Sequence, residues 1–264
     1  MQSAFPRAFN ILTGGPVTKT AICVPHPDDE VIGASSLLMS LGARAFVIYI
    51  TDGAPKLERD GYNRILYAEI RRREAEQVLR FCGIPLQNAF WLNLSDQQVS
   101  FDLAKLAAEI RGAVLQIKPD VIVAPPYEGG HPDHDSTALA TAFVCTRVHG
   151  CRRLELLSYH NFGGRIETDR FLVPLTQVPE QRVLLTNEES SRKAAMFALY
   201  TSQREVLRHF PIGEERFRVA PEYNFLEPPH TGTLYYELFP WGIKGSQWRK
   251  HARIFLQNSE DLLR

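Results

Sequence analysis

The fold is decided by the stretch AICVPHPDDEVIGASSLLMSLG, residues 21–42. It opens with a short apolar run over residues 21–25, as a fully buried strand does. From Val31 to Leu41 the apolar residues then recur at the spacing of one helical face. The next residue is Gly42, and glycine commonly follows the last turn of a helix. The stretch therefore predicts a buried strand followed directly by a helix.

The same strand–helix alternation recurs along the chain. Predicted strands cover 44–50, 89–92, 121–124 and 154–160, and predicted helices cover 62–81, 102–117, 132–148 and 187–207, the last with a break at 201–203. Short apolar strands that alternate with longer helices imply right-handed crossovers and a mainly parallel sheet covered on both faces. We therefore expect an α/β protein with a three-layer α/β/α Rossmann-like fold.

The length of 264 residues is compatible with one α/β domain built on a continuous sheet. We expect a single domain over 1–264, with a core at about 20–205 and a C-terminal wrapping extension at about 210–264. Five prolines interrupt this extension before a helical pattern begins at Ser246: they are Pro211, Pro221, Pro228, Pro229 and Pro240.

The composition excludes several functional classes. Lys and Arg together number 30 and balance 30 Asp and Glu, so no overall charge attracts nucleic acid. Four cysteines without C-x-x-C spacing indicate free thiols and a reducing cytoplasm, and no apolar run is long enough for a signal peptide or a membrane span. We expect a cytoplasmic protein with a small-molecule substrate, and the amphipathic C-terminal helix is compatible with a homo-oligomer.

Two acidic, histidine-containing motifs follow two of the predicted strands. The first is His26-Pro27-Asp28-Asp29-Glu30, and the second is His131-Pro132-Asp133-His134-Asp135. Because parallel strands end on the same edge of a sheet, the two motifs can meet in the crevice where such folds bind ligands. Two imidazoles and one carboxylate suit a catalytic zinc ion that keeps a position for water, although Fe²⁺ and other divalent metals accept the same set.

A surplus carboxylate beside the ligands is needed to take a proton from the water, and Asp28 or Glu30 could serve. Each acidic residue taken alone is more simply explained as a helix cap, and each histidine as a structural side chain. Their joint placement favours a site. A non-catalytic module that binds a sugar or nucleotide is the rival class, whereas a dinucleotide oxidoreductase is disfavoured because no G-x-G-x-x-G follows the first strand.

With both motifs complete and in order, the sequence resembles the PIG-L, or LmbE-like, family of zinc-dependent N-acetylglucosaminyl deacetylases over roughly residues 20–205. The resemblance implies that His26, Asp29 and His134 bind zinc. It implies that Asp28 is the general base and that a protonated His131 steadies the oxyanion formed in the transition state. Glu30 is then left mainly structural.

The resemblance also implies that Arg71 and Asp96 contact sugar hydroxyls, with Arg72 as the alternative to Arg71. Where family members often carry a Gly-Glu pair after the second strand, this chain has Asp52-Gly53-Ala54-Pro55, so the pocket wall is expected to differ there. Other polar residues after predicted strands are weaker candidates for a sugar pocket: Tyr127, His160 and Asn161. The tail aromatics are expected mainly to pack against the core: Tyr223, His230, Trp241 and Trp248.

The implied function is removal of an N-acetyl, or related N-acyl, group from an amino-sugar-containing substrate by metal-activated water with an aspartate base. An amidase that cleaves a thiol-conjugated sugar amide is the alternative within the hydrolases. The residues quoted above do not separate these two substrates.

Overall fold

The computed structural model describes residues 5–15, 19–55, 63–148 and 150–259, with the side chains from residue 9 onward. A seven-stranded sheet has the order β3-β2-β1-β4-β5-β9-β8. Its first five strands are parallel: β1 Thr20–Val24, β2 Ala45–Thr51, β3 Ala89–Leu94, β4 Val121–Ala124 and β5 Arg152–Leu156. The remaining strands of this sheet, β8 Glu180–Leu184 and β9 Glu214–Val219, are antiparallel to each other, and β9 is antiparallel to β5. A short separate hairpin consists of β6 His160–Phe162 and β7 Arg165–Glu167.

Helices cover both faces of the sheet. They are α1 Phe5–Thr13, α2 Asp29–Leu41, α3 Arg64–Phe81, α4 Leu103–Ile117, α5 Pro132–Cys145, α6 Asn187–Leu199, α7 Arg204–Leu207 and α8 Gly245–Asn258. In the described part of the chain, no helix combines the length and the apolar character needed to cross a membrane.

The alternation of side chains along each strand divides the core into two. In β1, Ile22 and Val24 belong to a cluster that also contains residues of α2, α3 and α6, whereas Ala21 and Cys23 belong to a second cluster with residues of α4, α5 and α8. Successive strand residues point to opposite faces, so the two clusters lie on the two sides of the sheet. The expected three-layer α/β/α fold with a mainly parallel sheet is confirmed.

The structure differs from the sequence prediction in three segments. The strand predicted over 154–160 ends at Leu156, and residues 157–159 have no regular secondary structure before β6 begins. The helix predicted over 132–148 ends at Cys145. The helix predicted from residue 62 begins at Arg64, and residue 62 itself lies outside the described residues. Helix α1 and strands β7, β8 and β9 were not predicted. The expectation of one domain over 1–264 stays a prediction.

A buried ion pair supports helix α2 where its backbone is broken. Ala34 has non-helical angles, with φ −142° and ψ 24°, and the Glu215 carboxylate of β9 accepts the backbone N–H groups of Ser35 and Ser36, which follow the break. Lys193 of α6 donates to Glu215 and to the carbonyl of Ile32. The orphan groups at the break are thereby satisfied, and α2, which begins at the candidate site, is fixed to the sheet.

Candidate metal centre

The site lies where β1 and β4, neighbours in the sheet, reach its carboxyl edge. β1 is followed by His26 and by α2, which begins at Asp29. β4 is followed by a loop and by α5, for which His131 is the N-cap and Pro132 the first residue. Gly130 is required in this loop, because a Cβ there would lie 2.1 Å from the carbonyl oxygen of Tyr159.

The three residues expected as metal ligands converge on one carboxylate oxygen. Asp29 Oδ2 lies 3.2 Å from His26 Nδ1 and 3.3 Å from His134 Nε2. Tetrahedral zinc with ligand bonds of about 2.0–2.1 Å separates its ligand atoms by about 3.3 Å. The Nε2 atom of His134 is buried and, within the described structure, makes no hydrogen bond. The donor set and its spacing therefore fit a tetrahedral divalent metal.

Neighbouring side chains orient the two histidine rings. The Ser158 hydroxyl lies 2.9 Å from His134 Nδ1, on the far side of the ring from Asp29. His26 Nε2 lies 3.2 Å from Asp96 Oδ1 and 3.4 Å from Asp133 Oδ2. The contacts of His134 with Ser158 and of His26 with Asp133 are hydrogen bonds. Such bonds fix the tautomer of a metal-binding histidine and leave its other nitrogen free for the metal.

The electrostatic environment keeps Asp29 ionised. Burial opposes its charge, but His134 and His26 outweigh that effect and hold the pKa of the Asp29 carboxyl below its usual range. Asp29 also accepts the backbone N–H of His26 at 2.9 Å. A carboxylate fixed in its charged form is suited to a cation.

Asp28 sits beside this cluster in a strained backbone conformation, with φ 132° and ψ −27°. Burial raises its pKa to about 7, against the opposing effect of the Arg71 guanidinium, whose Nη2 lies 3.2 Å from Asp28 Oδ2. Arg71 also donates to the Pro27 carbonyl. Gly53 makes room for this arginine, since a Cβ there would lie 3.1 Å from Arg71 Nε and 2.9 Å from Pro27 Cδ. Asp28 is thus a buried carboxyl whose pKa lies in the range that proton transfer requires.

Glu30, the other acid left open by the sequence, has a different environment. It is fully buried, accepts the backbone N–H of Asp28 at 3.0 Å and the hydroxyl hydrogen of Tyr200, and does not line the cavity at the site. Burial raises its pKa to about 8. Glu30 therefore shapes the backbone at Asp28 rather than facing the cavity.

His131 differs from the expectation of a protonated ring. Its Nδ1 accepts the backbone N–H of Asp133 at 3.1 Å, as the side chain of a helix N-cap does. Burial and the neighbouring His26 lower the pKa of His131 well below its usual value. The ring is therefore neutral, with its hydrogen on Nε2, because a ring nitrogen that accepts an N–H carries no proton.

Asp133 is a site residue that sequence reasoning treated only as a helix cap. Its carboxylate accepts the backbone N–H of Gln97 at 2.7 Å and that of Val99 at 3.3 Å, and it approaches His26. It thereby holds the loop after β3 that brings Asp96 to the centre. Asp133 could have been found from the sequence, because it repeats in the second motif an acidic residue of the first. Nothing in the sequence indicates that Ser158 belongs to the site.

A cavity of about 800 Å³ opens onto the cluster. It is lined by most of the expected site residues, namely His26, Asp28, Asp29, Arg71, Asp96 and His131. Of the weaker candidates, Tyr127, His160 and Asn161 are absent from the described lining. Among the tail aromatics Trp241 lines the cavity and packs on His131, with 4.7 Å between ring centroids, whereas Trp248 is fully buried in the core.

Fold and cluster together define a Rossmann-like α/β protein with a candidate metal centre at the carboxyl edge of its sheet. Residues 21–145 match the sequence model of the PIG-L family, described as GlcNAc-PI de-N-acetylase. This match confirms the resemblance inferred from the two motifs. The matched segment contains both motifs.

One characterised relative matches part of the chain at low identity. A mycothiol S-conjugate amidase of Streptomyces coelicolor is 28% identical over 138 residues, which are 42% of this chain and 46% of that protein. The chain thus spans about half the length of the curated relative that it matches.

Solved structures share the fold. A deacetylase of the teicoplanin biosynthetic pathway has a TM-score of 0.58 at 20% identity, covering 78% of this chain and 100% of that one. An A40926 pseudoaglycone deacetylase gives 0.59 at 17% identity, covering 78% and 99%. The N,N'-diacetylchitobiose deacetylase of Pyrococcus horikoshii gives 0.50 at 19% identity, covering 82% and 93%.

Proposed function

We propose that the protein is a zinc-dependent hydrolase that removes an N-acetyl, or related N-acyl, group from an amino-sugar-containing substrate. The observation that carries the proposal is the placement of Asp29 Oδ2 at 3.2–3.3 Å from one nitrogen of His26 and one of His134, with Asp28 beside them. In this proposal His26, Asp29 and His134 hold the metal. Zinc, when bound, polarises the amide carbonyl and makes a water molecule more acidic.

The remaining chemistry is assigned to side chains of this chain. Asp28 accepts a proton from the attacking water, whose oxygen bonds to the acyl carbon. His131 donates its Nε2–H to the carbonyl oxygen as negative charge develops there. When the C–N bond breaks, Asp28 passes the proton to the leaving nitrogen, so that one amide and one water give a carboxylic acid and an amine.

Arg71 and Asp96 are proposed as contacts to the sugar hydroxyls. Both line the cavity, and the Nε–H of Arg71 is buried without a hydrogen-bond partner among the described residues. An unpaired buried donor is costly unless a ligand satisfies it, which supports a polar substrate group at this position.

An amidase acting on a thiol-conjugated sugar amide remains the second candidate. It is favoured by the similarity to the S. coelicolor amidase, and it would use the same residues on the same bond type. The two candidates differ in the group attached to the sugar, so that activity on a thiol conjugate compared with N-acetylglucosamine separates them.

We also propose that residues 1–264 form one domain and that the protein resides in a reducing cytoplasm. The first part is supported by β9, which comes from the tail yet lies inside the central sheet between β5 and β8. The second part is supported by the four cysteines, all of which are free thiols.

The experiment measures zinc content and amine release on one preparation of zinc-reconstituted protein. We expect one zinc per chain and release of amine that Asp28→Asn abolishes. Asp102→Asn is the matched control, because Asp102 caps the start of α4, away from the cavity, and asparagine caps equally well. Protein that binds no metal after reconstitution would favour the rival binding module.

A further inference from the structure

Two chemically different parts of the cavity lining flank the centre, and the mixed segment 203–210 completes the lining. We call these two parts the polar half and the aromatic half. Toward β2 and β3 the lining is polar, with Arg71 from the helix after β2 and with Asp96, Gln97 and Gln98 from the loop after β3. Toward β4 and β5 it is aromatic. Because β1, which leads to His26 and Asp29, lies between β2 and β4 in the sheet, the candidate metal centre sits at the junction of the halves.

The aromatic half is a continuous series of rings, which we call the aromatic arc: Tyr159, Tyr235, Phe239 and Trp241. Its ring contacts begin at His134, which lies 5.2 Å from Tyr159 between centroids. Within the arc the centroid distances are 5.6 Å, 5.1 Å and 4.7 Å in the order given. The arc ends at His131, which lies 4.7 Å from Trp241. The arc thus joins two histidines of the centre.

The rings of the arc are partly exposed and are not fully buried in the core. Tyr159, Tyr235 and Trp241 are half-buried, and Phe239 is 36% exposed. Three of the four come from the tail, which is held in place where the Tyr235 backbone N–H donates to the Gly129 carbonyl at 2.8 Å. A run of partly exposed aromatic faces beside a reactive centre is suited to an apolar group of a ligand.

An amide held with its carbonyl at the centre has two arms, the acyl group and the amine-bearing sugar. Sugar hydroxyls require the hydrogen-bonding partners of the polar half. The acyl arm, which lacks hydroxyl groups, then fits the aromatic half, where its burial is favourable. The cavity volume of about 800 Å³ is near the upper end of the range of about 300–1,000 Å³ for ligand cavities, and leaves room for both arms.

We propose that the aromatic arc is an acyl-binding subsite, and that the enzyme prefers amides whose acyl group is longer than acetyl. The proposal rests on the proposed function. Burial of each added methylene is worth about 0.8 kcal/mol, or about fourfold in kcat/KM, so two methylenes with incomplete burial give about tenfold.

The test compares kcat/KM for N-acetyl-, N-butyryl- and N-hexanoylglucosamine, with N,N'-diacetylchitobiose as a substrate that adds a second sugar instead. We expect the butyryl amide to exceed the acetyl amide about tenfold. Phe239→Ala and Trp241→Leu should each reduce this ratio at least fivefold. Phe101→Ala is the matched control, because Phe101 is also an exposed phenylalanine, at 53%, but lies outside the described lining.

A second arm measures binding without turnover, by calorimetric titration of zinc-loaded protein with butyrate or decanoate. Decanoate should bind at least tenfold more tightly, and Trp241→Leu should remove that advantage. Equal kcat/KM for all acyl lengths, or a chitobiose preference that the arc variants abolish, would overturn the subsite. If decanoate binds in a Trp241-dependent manner but no amine is released, the proposed function is overturned and the subsite is supported. If decanoate does not bind, the subsite itself is overturned.

Discussion

Replacing Ser158 by alanine tests how the proposed metal centre is oriented. For His134 to bind a metal through Nε2, its Nδ1 must carry the hydrogen, and the Ser158 hydroxyl at 2.9 Å is placed to accept it. Both side chains are buried, so water does not replace the lost acceptor. An unsatisfied buried N–H costs about 1–3 kcal/mol. Loss of an orienting partner typically weakens metal binding by about 10–100-fold, which is about 1.4–2.7 kcal/mol and agrees with that range.

The assay is competition for zinc with a chromophoric chelator at pH 7. We expect Ser158→Ala to bind zinc about 10–100-fold more weakly than the native protein. Ser100→Ala is the matched control, since Ser100 is equally buried but its hydroxyl has no hydrogen-bond partner within the described structure. If Ser158→Ala and Ser100→Ala bound zinc with the same affinity, His134 would not be a ligand held by Ser158.

Three further predictions concern the base, the oxyanion and the fold. His131→Ala should keep its zinc, measured by metal analysis, but lower kcat about 10²–10³-fold, and unchanged turnover would remove its assigned role. Asp28 must be ionised to act as a base, and burial raises its pKa to about 7, which a bound cation lowers. Activity should therefore fall as pH drops, with a kcat/KM midpoint at or below about pH 7, and a midpoint well above 7 would contradict this. Glu215→Ala leaves Lys193 buried without its partner and should lower the free energy of unfolding in urea by about 3–5 kcal/mol. Glu214→Ala on the same strand breaks only surface ion pairs and should lower it far less. Equal losses of stability would contradict the role of Glu215 at the α2 break.

The sequence predicts correctly those parts of the fold and of the site that depend on local residue patterns. The apolar runs that became β1 and β4 lead into the two histidine motifs, and the rule that parallel strands end on one edge brought His26 and His134 together. Strand β9 was missed because charged residues interrupt it and prolines flank it. Its buried Glu215 and Phe217 nevertheless lie on either side of the more exposed Arg216, which is the pattern of a strand.

The rest of the site depends on long-range packing. Ser158 lies in the irregular segment 157–159 that follows β5, and the path of this segment sets its approach to His134. Trp241 reaches His131 from more than a hundred residues along the chain, through a tail whose path no periodicity predicts. The neutral state of His131 required the observed hydrogen bond from Asp133, because the N-cap geometry cannot be read from the motif alone.

The most direct test of the central claim is a parallel measurement of zinc content and of amine release from an N-acylglucosamine series by native protein and Asp28→Asn. We predict one zinc per chain in both proteins and amine release in the native protein alone. Equal amine release by both proteins would remove Asp28 as the base. Absence of zinc from reconstituted native protein would contradict the metal centre itself.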